Sequence, residues 1–365
     1  MSGKRSPVST RREPPRDDNR EEFDAPKAPD IDVVLSSRVR IARNLDGLPF
    51  VNRASEDQCE HVVKSTRHLL MHIPTSDRMI WVDLEQSSSH ERQLLVERHL
   101  ISRQHADNNI RRGVAVAESE QSSVMINEED HVRMQALRPG LQLTDANEAC
   151  RDMDEALGNH LEYAYRERWG YLSACPTNVG TGIRLSAMLH LPALRLTNDI
   201  DRVRQAAKDL HLAVRGFYGE GSESTGNFYQ ISNQVTLGRS EEAILEEFEG
   251  MIIPTLVQYE RAARQVLLEK HRRELEDRVF RAFGMLGTAR MLKLDEAKKL
   301  LSSLRLGVCL NMLSETDANI TVDMVDNLML LVQPGHLRQH VNCTISPEQA
   351  RGVRADLVRQ VLIGD

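Results

Sequence analysis

"VVLSSRVRIA", at residues 33–42, alternates between apolar and polar side chains in the manner of a β-strand. Successive side chains of a strand point to opposite faces, so Arg38 and Arg40 are predicted to lie on the same face. "GVAVAESEQSSVMIN" at 113–127 and "EYAYRERWGYLSAC" at 162–175 have the pattern of hairpins, with two strands around a polar turn. The sequence therefore predicts a sheet built largely from antiparallel strands.

Helical periodicity occurs between these strand patterns. "TDANEACRDMDEALGNHL" at 144–161 is expected to begin at a cap provided by Thr144 or Asp145, and "DIDRVRQAAKDLHL" at 199–212 has the same periodicity. Hairpins with helices between them favour an α+β fold, a mostly antiparallel sheet with helices on one side.

The chain divides into three parts by composition. Residues 1–29 carry five prolines, mixed charges and few aliphatic side chains, which predicts a disordered tail. Residues 30–248 contain the strand-rich pattern, and residues 249–365 are predicted to form a smaller all-α domain. The pattern changes from strand-rich to helical at Ser240, which can cap a long helix that is interrupted near Pro254.

The overall composition is that of a globular protein. The net charge of −7 argues against direct nucleic-acid binding, and no apolar run approaches the roughly 20 residues that a membrane span needs. Five scattered cysteines without a C-x-x-C pair fit a reducing cytosol, so a cytoplasmic protein is expected. His68 and His72 lie one helical turn apart without a third ligand, so we interpret them as a surface pair and predict no metal site.

Arginine provides 39 of the 47 basic residues. Genomic base composition is the favoured explanation, and the functional alternative, guanidinium groups that bind phosphates, applies only at special positions. The chain has no G-x-x-x-x-G-K-[ST] motif and no H-R-D or D-F-G set. A nucleotide would therefore be bound without a P-loop or a protein-kinase fold.

Charged side chains recur at regular spacing in two stretches. In "NEEDHVRMQ", an extended backbone would put Glu129, His131 and Arg133 on one face. In "RGFYGEGSESTGN", Arg215 precedes a glycine-rich loop that carries Glu220. Each signal is weak alone, because charges on alternating strands usually face solvent.

"SACPTNVGTGIR", at 173–184, combines Cys175, a glycine-rich turn and Arg184. Proline after Cys175 favours an extended backbone there. From these residues alone, a small buried cysteine in an ordinary turn is the commoner explanation, and a functional thiol is the alternative.

Four motifs in chain order resemble those of the ATP:guanido phosphotransferases: "SSRVRIARN", "NEEDHVR", "CPTNVGTGIR" and "RGFYGEGSE". "HLIS", "MLHLPAL", "GNFYQISNQVTLG" and "QYERAARQ" are similar to stretches of the bacterial protein-arginine kinases (McsB-type) within that superfamily. The resemblance runs from about residue 31 to the C-terminus. It implies a glutamine-synthetase-like catalytic domain at 30–248, and a helical domain at 249–365 for phosphoarginine binding or dimerisation.

The resemblance also implies an ATP site, with Mg²⁺ as the accompanying ion. Fixed arginines would neutralise the triphosphate while the γ-phosphoryl group is transferred. The residues implied at this site are Ser36, Ser37, Arg38, Val39, Arg40, His99, Arg133, Arg184, Leu185, Ser186, Ala187, Met188, Arg215, Gly216, Phe217, Tyr218 and Gly219.

Three catalytic residues are implied in the same way. A guanidinium is a poor nucleophile, with a pKa of about 12.5 to 13.8, so a carboxylate must align it and remove a proton. By resemblance Glu129 and Glu220 are these carboxylates, with Glu129 as the base. Cys175 is implied to bind and polarise the guanidinium without forming a phosphoenzyme.

The expected substrate is an arginine side chain of another protein. Kinases of free guanidines in this superfamily carry an N-terminal helical domain, whereas "SSRVR" here begins at residue 36 after a tail unsuited to folding, which implies a more open site. A kinase of a small free guanidine and a non-catalytic phosphoarginine-binding adaptor are the alternatives. The resemblance further implies a zinc-binding activator, a Clp ATPase–protease that receives tagged clients, and a homodimer.

A phosphoarginine site is implied near the C-terminus. The protein-arginine kinases share an R-D-x-x-R-A motif, and "ARGVRADLVRQ" matches it at Arg351, Arg354 and Ala355, with Gly352 taken as the replacement of the aspartate. Arginines three apart on a helix share a face and could bind one phosphoryl group. A solvated basic helix face is the alternative.

Overall fold

The computed structural model describes residues 28–72, 77–216, 226–314 and 319–364. The tail predicted at 1–29 falls outside these ranges except for its last two residues. Within them, no helix combines the length and apolar character that crossing a membrane requires.

Ten strands occur in the described part of the chain. They are β1 (Val34–Arg43), β2 (Met79–Asp83), β3 (Gly113–Ala117), β4 (Ser122–Ile126), β5 (Val132–Pro139), β6 (Tyr165–Arg166), β7 (Gly170–Tyr171), β8 (Ile183–His190), β9 (Leu212–Gly216) and β10 (Phe228–Asn233). Eight form one antiparallel sheet in the order β2-β3-β4-β5-β1-β8-β10-β9, and β6 pairs with β7. Both predicted hairpins and the predicted antiparallel sheet are therefore confirmed.

The helices of the described ranges fall between the strands and after them. They are α1 (Glu56–His72), α2 (Ser89–Glu97), α3 (Arg103–Asp107), α4 (Leu143–Gly158), α5 (Pro192–Leu196), α6 (Ile200–Asp209), α7 (Glu241–Glu247), α8 (Ile253–Lys270), α9 (Arg272–Thr288), α10 (Leu294–Cys309), α11 (Val322–Leu331), α12 (Pro334–Val341) and α13 (Pro347–Ile363). The α+β class followed by an all-helical region is confirmed.

Helices cover both faces of the sheet, so the expectation of helices on one side is wrong. Adjacent residues of β3 belong to two different hydrophobic cores on opposite faces of the sheet. Ala115 belongs to the core that includes α1 and α4, and Val114 belongs to the core that includes α2 and α3. β4 divides in the same way at Val124 and Met125. The reason is that these strands carry apolar side chains on both faces, as strands buried on two sides do.

Helix α4 begins without the predicted cap. Its N-cap residue is Gln142, and neither Thr144 nor Asp145 caps the helix with its side chain. The carboxylate of Glu249 accepts hydrogen bonds from the backbone N–H of Leu143 (2.7 Å) and of Thr144 (3.1 Å) instead. A residue distant in sequence thus satisfies the free N–H groups of this helix.

The long helical stretch after the sheet is interrupted as predicted. Ser240 caps α7 by accepting from the Ala243 N–H, and one π-helical turn at Phe248–Ile252 precedes α8, which has Pro254 in its first turn. Buried residues of α8 belong to the core of the sheet, and the core of the helical region begins in α9. By packing, α8 therefore belongs with the sheet, although the predicted division lies between residues 248 and 249.

The buried guanidinium of Arg305 in α10 joins the helical region to the start of β1. It pairs with both oxygens of Asp326 in α11 (2.7 and 3.1 Å) and donates to the carbonyls of Ile31 and Asp32 (2.7 and 2.9 Å). It also donates to His190 Nδ1 (3.3 Å) at the end of β8. One side chain therefore donates to five acceptors in three segments of the chain.

We expect Arg305→Met to lower the free energy of unfolding by about 3–5 kcal/mol, since removing one partner of a buried pair leaves the other acceptors unsatisfied. Urea unfolding monitored by circular dichroism measures this. Arg281→Met, which breaks an exposed pair with Asp277, is the matched control and should change little. Equal stability of the two variants would contradict the role assigned to Arg305.

Candidate active site

Five arginines converge on one face of the central strands. In register, Arg40 of β1 lies opposite Arg184 of β8, and Ala42 lies opposite Arg133 of β5. Direct cross-strand partners point to the same face of a sheet. The pairing of β8 with β10, and of β10 with β9, places Arg215 of β9 on this face as well. The prediction that Arg38 and Arg40 share a face is confirmed, and the arginine face comprises Arg38, Arg40, Arg133, Arg184 and Arg215.

The arginine face carries an excess of positive charge. Burial, followed by the charges of three neighbouring arginines, lowers the pKa of Arg38 to about 10. Burial and the charge of Arg38 lower the pKa of Arg40 well below its ordinary value, and its buried Nε has no hydrogen-bond partner among the described residues. Guanidinium groups held close together at such a cost are complementary to a polyanion.

Arg133 differs from the other arginines because three carboxylates surround it. It pairs with Glu128 (2.5 Å) and Glu129 (2.8 Å), and Asp130 lies 3.5 Å away. Burial alone would lower the pKa of Arg133, but these carboxylates raise it. Glu129 keeps about a third of its side chain exposed, toward the cavity in front of the arginine face.

Asp130 connects the carboxylate cluster to the loop that carries Cys175. Its fully buried carboxylate accepts from Asn44 Nδ2 (2.7 Å), Ser173 Oγ (3.1 Å) and the Ala174 N–H (2.8 Å). Sequence analysis missed this residue, although it lies in the quoted "NEEDHVR" stretch. Its partners lie some 43 and 86 residues away along the chain, so no local pattern identifies them.

Cys175 lines the same cavity as Glu129. Its backbone is extended (φ −96°, ψ 120°) before a 3₁₀ turn at Pro176–Asn178, as the following proline predicts. The thiol is partly exposed and lies 3.1 Å from the Thr177 hydroxyl. Gly182, at φ +71°, lets the chain pass against the Ala42 carbonyl, where a Cβ would approach to 2.7 Å.

Two cavities lie side by side on the arginine face. The larger has a volume of about 910 Å³. The residues of the predicted site that line it are Arg40, Glu129, Arg133, Cys175, Arg184 and Arg215. Arg103, Gln104 and His211 also line it, and no sequence pattern pointed to them.

The smaller cavity has a volume of about 170 Å³ and is lined by Arg38, whereas Arg40, two residues further along the same face of β1, lines the larger one. Its predicted residues are Ser36, Arg38, His99, Ser186 and Met188. Burial and the charge of Arg38 lower the pKa of His99 to about 4, so this imidazole is neutral near pH 7. The predicted ATP residues thus divide between a strongly cationic cavity and a smaller one next to it.

Four residues of the implied ATP site point away from both cavities. Ser37, Val39, Leu185 and Ala187 alternate with the residues of the arginine face and are fully buried on the opposite face. The Ser37 hydroxyl donates to the Gly140 carbonyl there. A ligand on the arginine face cannot contact these side chains, because the motifs are contiguous in sequence whereas a strand presents only every second residue.

Part of the implied site lies outside the described residues. These residues are Glu220, Phe217, Tyr218 and Gly219. Gly216, the last residue of β9, is described and follows Arg215 directly. The roles predicted for all of them stay predictions.

The arginines of the implied phosphoarginine site have different surroundings. Arg354 is buried and donates to the carbonyls of Val332 (2.9 Å) and Leu292 (2.8 Å), whereas Arg351 is exposed. The motif spacing also needs correction: with Arg354 and Ala355 as the last two residues of R-D-x-x-R-A, the aspartate position falls on Arg351, not on Gly352. A phosphoryl group at Arg354 would have to compete with two carbonyls, and binding there stays a prediction.

Comparison with known proteins agrees with the site. The family model of the ATP:guanido phosphotransferase C-terminal catalytic domain matches residues 61–263, and that of the protein-arginine kinase McsB C-terminal domain matches residues 272–364. The protein-arginine kinase of Halothermothrix orenii is 42% identical over 92% of this chain and 94% of its own length. That of Bacillus subtilis is 41% identical over 92% of each chain.

Solved structures share the fold at lower identity. A duplicated taurocyamine kinase from Schistosoma mansoni has a TM-score of 0.59 and 24% identity, over 63% of this chain and 33% of that one. A lombricine kinase has a TM-score of 0.56 and 24% identity, over 65% of this chain and 69% of that one. With the family models and the curated relatives, these findings show that the chain belongs to the ATP:guanido phosphotransferase family, alongside the bacterial protein-arginine kinases.

Proposed function

We propose that this protein is a protein-arginine kinase that transfers the γ-phosphoryl group of ATP to arginine side chains of proteins. One observation carries the proposal: a single cavity is lined by four members of the arginine face together with Glu129 and Cys175. The arginines suit a triphosphate, and a carboxylate beside a thiol suits a guanidinium. Curated relatives named protein-arginine kinase support the choice of acceptor.

The arginine face serves as the phosphate clamp. Burial and the charges of neighbouring arginines lower the pKa of both Arg38 and Arg40, so a bound triphosphate would relieve this repulsion as well as gain charge-assisted hydrogen bonds. The smaller cavity, next to Arg38, receives the nucleoside. Mg²⁺ would enter with ATP, held by phosphate oxygens and water, and would supply charge neutralisation.

Glu129 acts as the base and aligns the acceptor. A nitrogen of the substrate guanidinium forms a bond to the γ-phosphorus, the bond from that phosphorus to the β–γ bridging oxygen breaks, and ADP leaves. The proton released from the guanidinium passes to Glu129. Cys175 contacts and polarises the guanidinium, and Glu220 is proposed as the second aligning carboxylate.

The wider setting is proposed from the family resemblance. We propose a cytoplasmic enzyme that works as a homodimer, with a zinc-binding activator and a Clp ATPase–protease that degrades the phosphorylated proteins. Arg351 and Arg354 are retained as the proposed phosphoarginine-binding residues of the helical region.

Incubation with Mg-ATP and an unfolded, arginine-rich protein should give N-phosphoarginine, with little turnover of free arginine. Mass spectrometry under non-acidic conditions detects this acid-labile product. The same protein with its arginines replaced by lysines is the control and should remain unmodified. Phosphate found only on Ser, Thr or Tyr, or only on free arginine, would contradict the proposal.

Glu129→Gln should lower kcat by about 100-fold or more, the usual size of a general-base contribution. The ATP dissociation constant should change little, because Glu128 and Asp130 still hold Arg133. Steady-state kinetics and calorimetry measure the two quantities. Glu118→Gln, in an exposed pair with Arg78, is the control, and a loss below about tenfold in Glu129→Gln would remove it as the base.

Cys175→Ala should lose most of the activity, because Cys175 lines the same cavity as the proposed base Glu129. Iodoacetamide should inactivate the unmodified protein for the same reason. The exposed Cys343 reacts as well, so the measurement needs Cys343→Ala as its background, and this control should stay active and sensitive. Full activity of Cys343→Ala after alkylation of Cys175 would reduce Cys175 to a structural role.

A further inference from the structure

The smaller cavity has walls from two parts of the chain. Strands of the sheet form one wall, through Ser36, Arg38, Ser186 and Met188. Helix α11 and the residues after it form the other. The residues of this second wall are Asp326, Met329, Leu330 and Gln333.

Apolar side chains join the two walls. Met188, on the strand wall, packs against the core of the helical region, to which Met329 belongs. Leu330 is half-buried at the cavity, so it can contact a ligand without first leaving a packed core. An apolar slot with a few polar groups at its edge suits the flat, amphipathic base of a nucleoside.

Helix α11 is held firmly over the cavity. Its Asp326 pairs with the buried Arg305, and the carbonyl of Val332, just after the helix, accepts from Arg354. Beyond it, Glu97 accepts from the backbone N–H of Gly335 (2.8 Å) and His336 (3.1 Å). Glu97 lies two residues before His99, so the contact ties the helical region to the segment that lines the cavity.

We propose that helix α11 covers the nucleoside of ATP, so that the helical region forms part of the nucleotide site. The inference rests on the proposed function, since it takes the adjoining arginine cavity to hold the triphosphate. The cover contributes to the binding of the nucleoside and not to that of the phosphates.

The test compares two tryptophan variants of the full-length protein. Leu330→Trp places an indole in the cavity, whereas Leu331→Trp changes the next residue of the same helix, also half-buried but outside the cavity. Isothermal titration calorimetry measures the dissociation constants of ATP and of inorganic tripolyphosphate for each. We expect Leu330→Trp to weaken ATP binding at least tenfold and tripolyphosphate binding less than twofold, with Leu331→Trp unchanged for both.

A second variant keeps the test decisive if Leu330→Trp does not fold. Leu330→Ala removes the apolar contact without adding bulk, and should weaken ATP three- to tenfold while sparing tripolyphosphate. If the Leu330 variants bind ATP as tightly as the wild-type protein, or lose as much affinity for tripolyphosphate as for ATP, the proposal that α11 covers the nucleoside is overturned, and the proposed function is not. A wild-type protein that does not bind ATP would overturn the proposed function as well.

Discussion

The buried excess of guanidinium charge on the central strands is the constraint on which the site depends. Arg38 and Arg40 share a strand face with arginines from three other strands, and burial with mutual repulsion depresses the pKa of both. Such an arrangement is unfavourable unless the rest of the fold holds it in place. Apolar packing on the opposite face, where Val39 and Ile41 are fully buried, provides the compensating stabilisation.

The acceptor side solves a related problem with opposite charges. Glu128, Glu129 and Asp130 are adjacent in sequence and would repel one another, but Arg133 lies within 3.5 Å of all three carboxylates and offsets part of that repulsion. Burial opposes ionisation of Glu128, and the charge of Arg133 with the Ser102 hydroxyl nevertheless holds its pKa below the ordinary value. One cluster thereby fixes the proposed base and, through Asp130, the loop of Cys175.

Sequence patterns predicted what depends on neighbouring residues. Alternation identified β1 and the common face of Arg38 and Arg40, and Ser240 was recognised as a cap. Interactions between distant residues left no such trace: Glu249 caps α4 across some 105 residues. For the same reason the pairing of Asp130 with Asn44 and Ser173 became visible only in the fold.

The contiguous motifs illustrate the remaining limit of sequence analysis. A motif includes every residue of a strand segment, although alternate residues of a strand point to opposite faces. Val39 and Leu185 face the core, whereas Arg38 and Arg184 face the cavities. The motifs also say nothing about α11, because its residues reach the cavity only when the helical region docks on the sheet, a docking to which Arg305 contributes. Since the same guanidinium binds Asp326 of α11 and the carbonyls before β1, a displacement of the helical region must alter both walls of the smaller cavity together. With the nucleoside in the smaller cavity, as proposed, nucleotide binding and the docking of the helical region are linked, because a ligand that contacts both walls favours the docked arrangement by the free energy of those contacts.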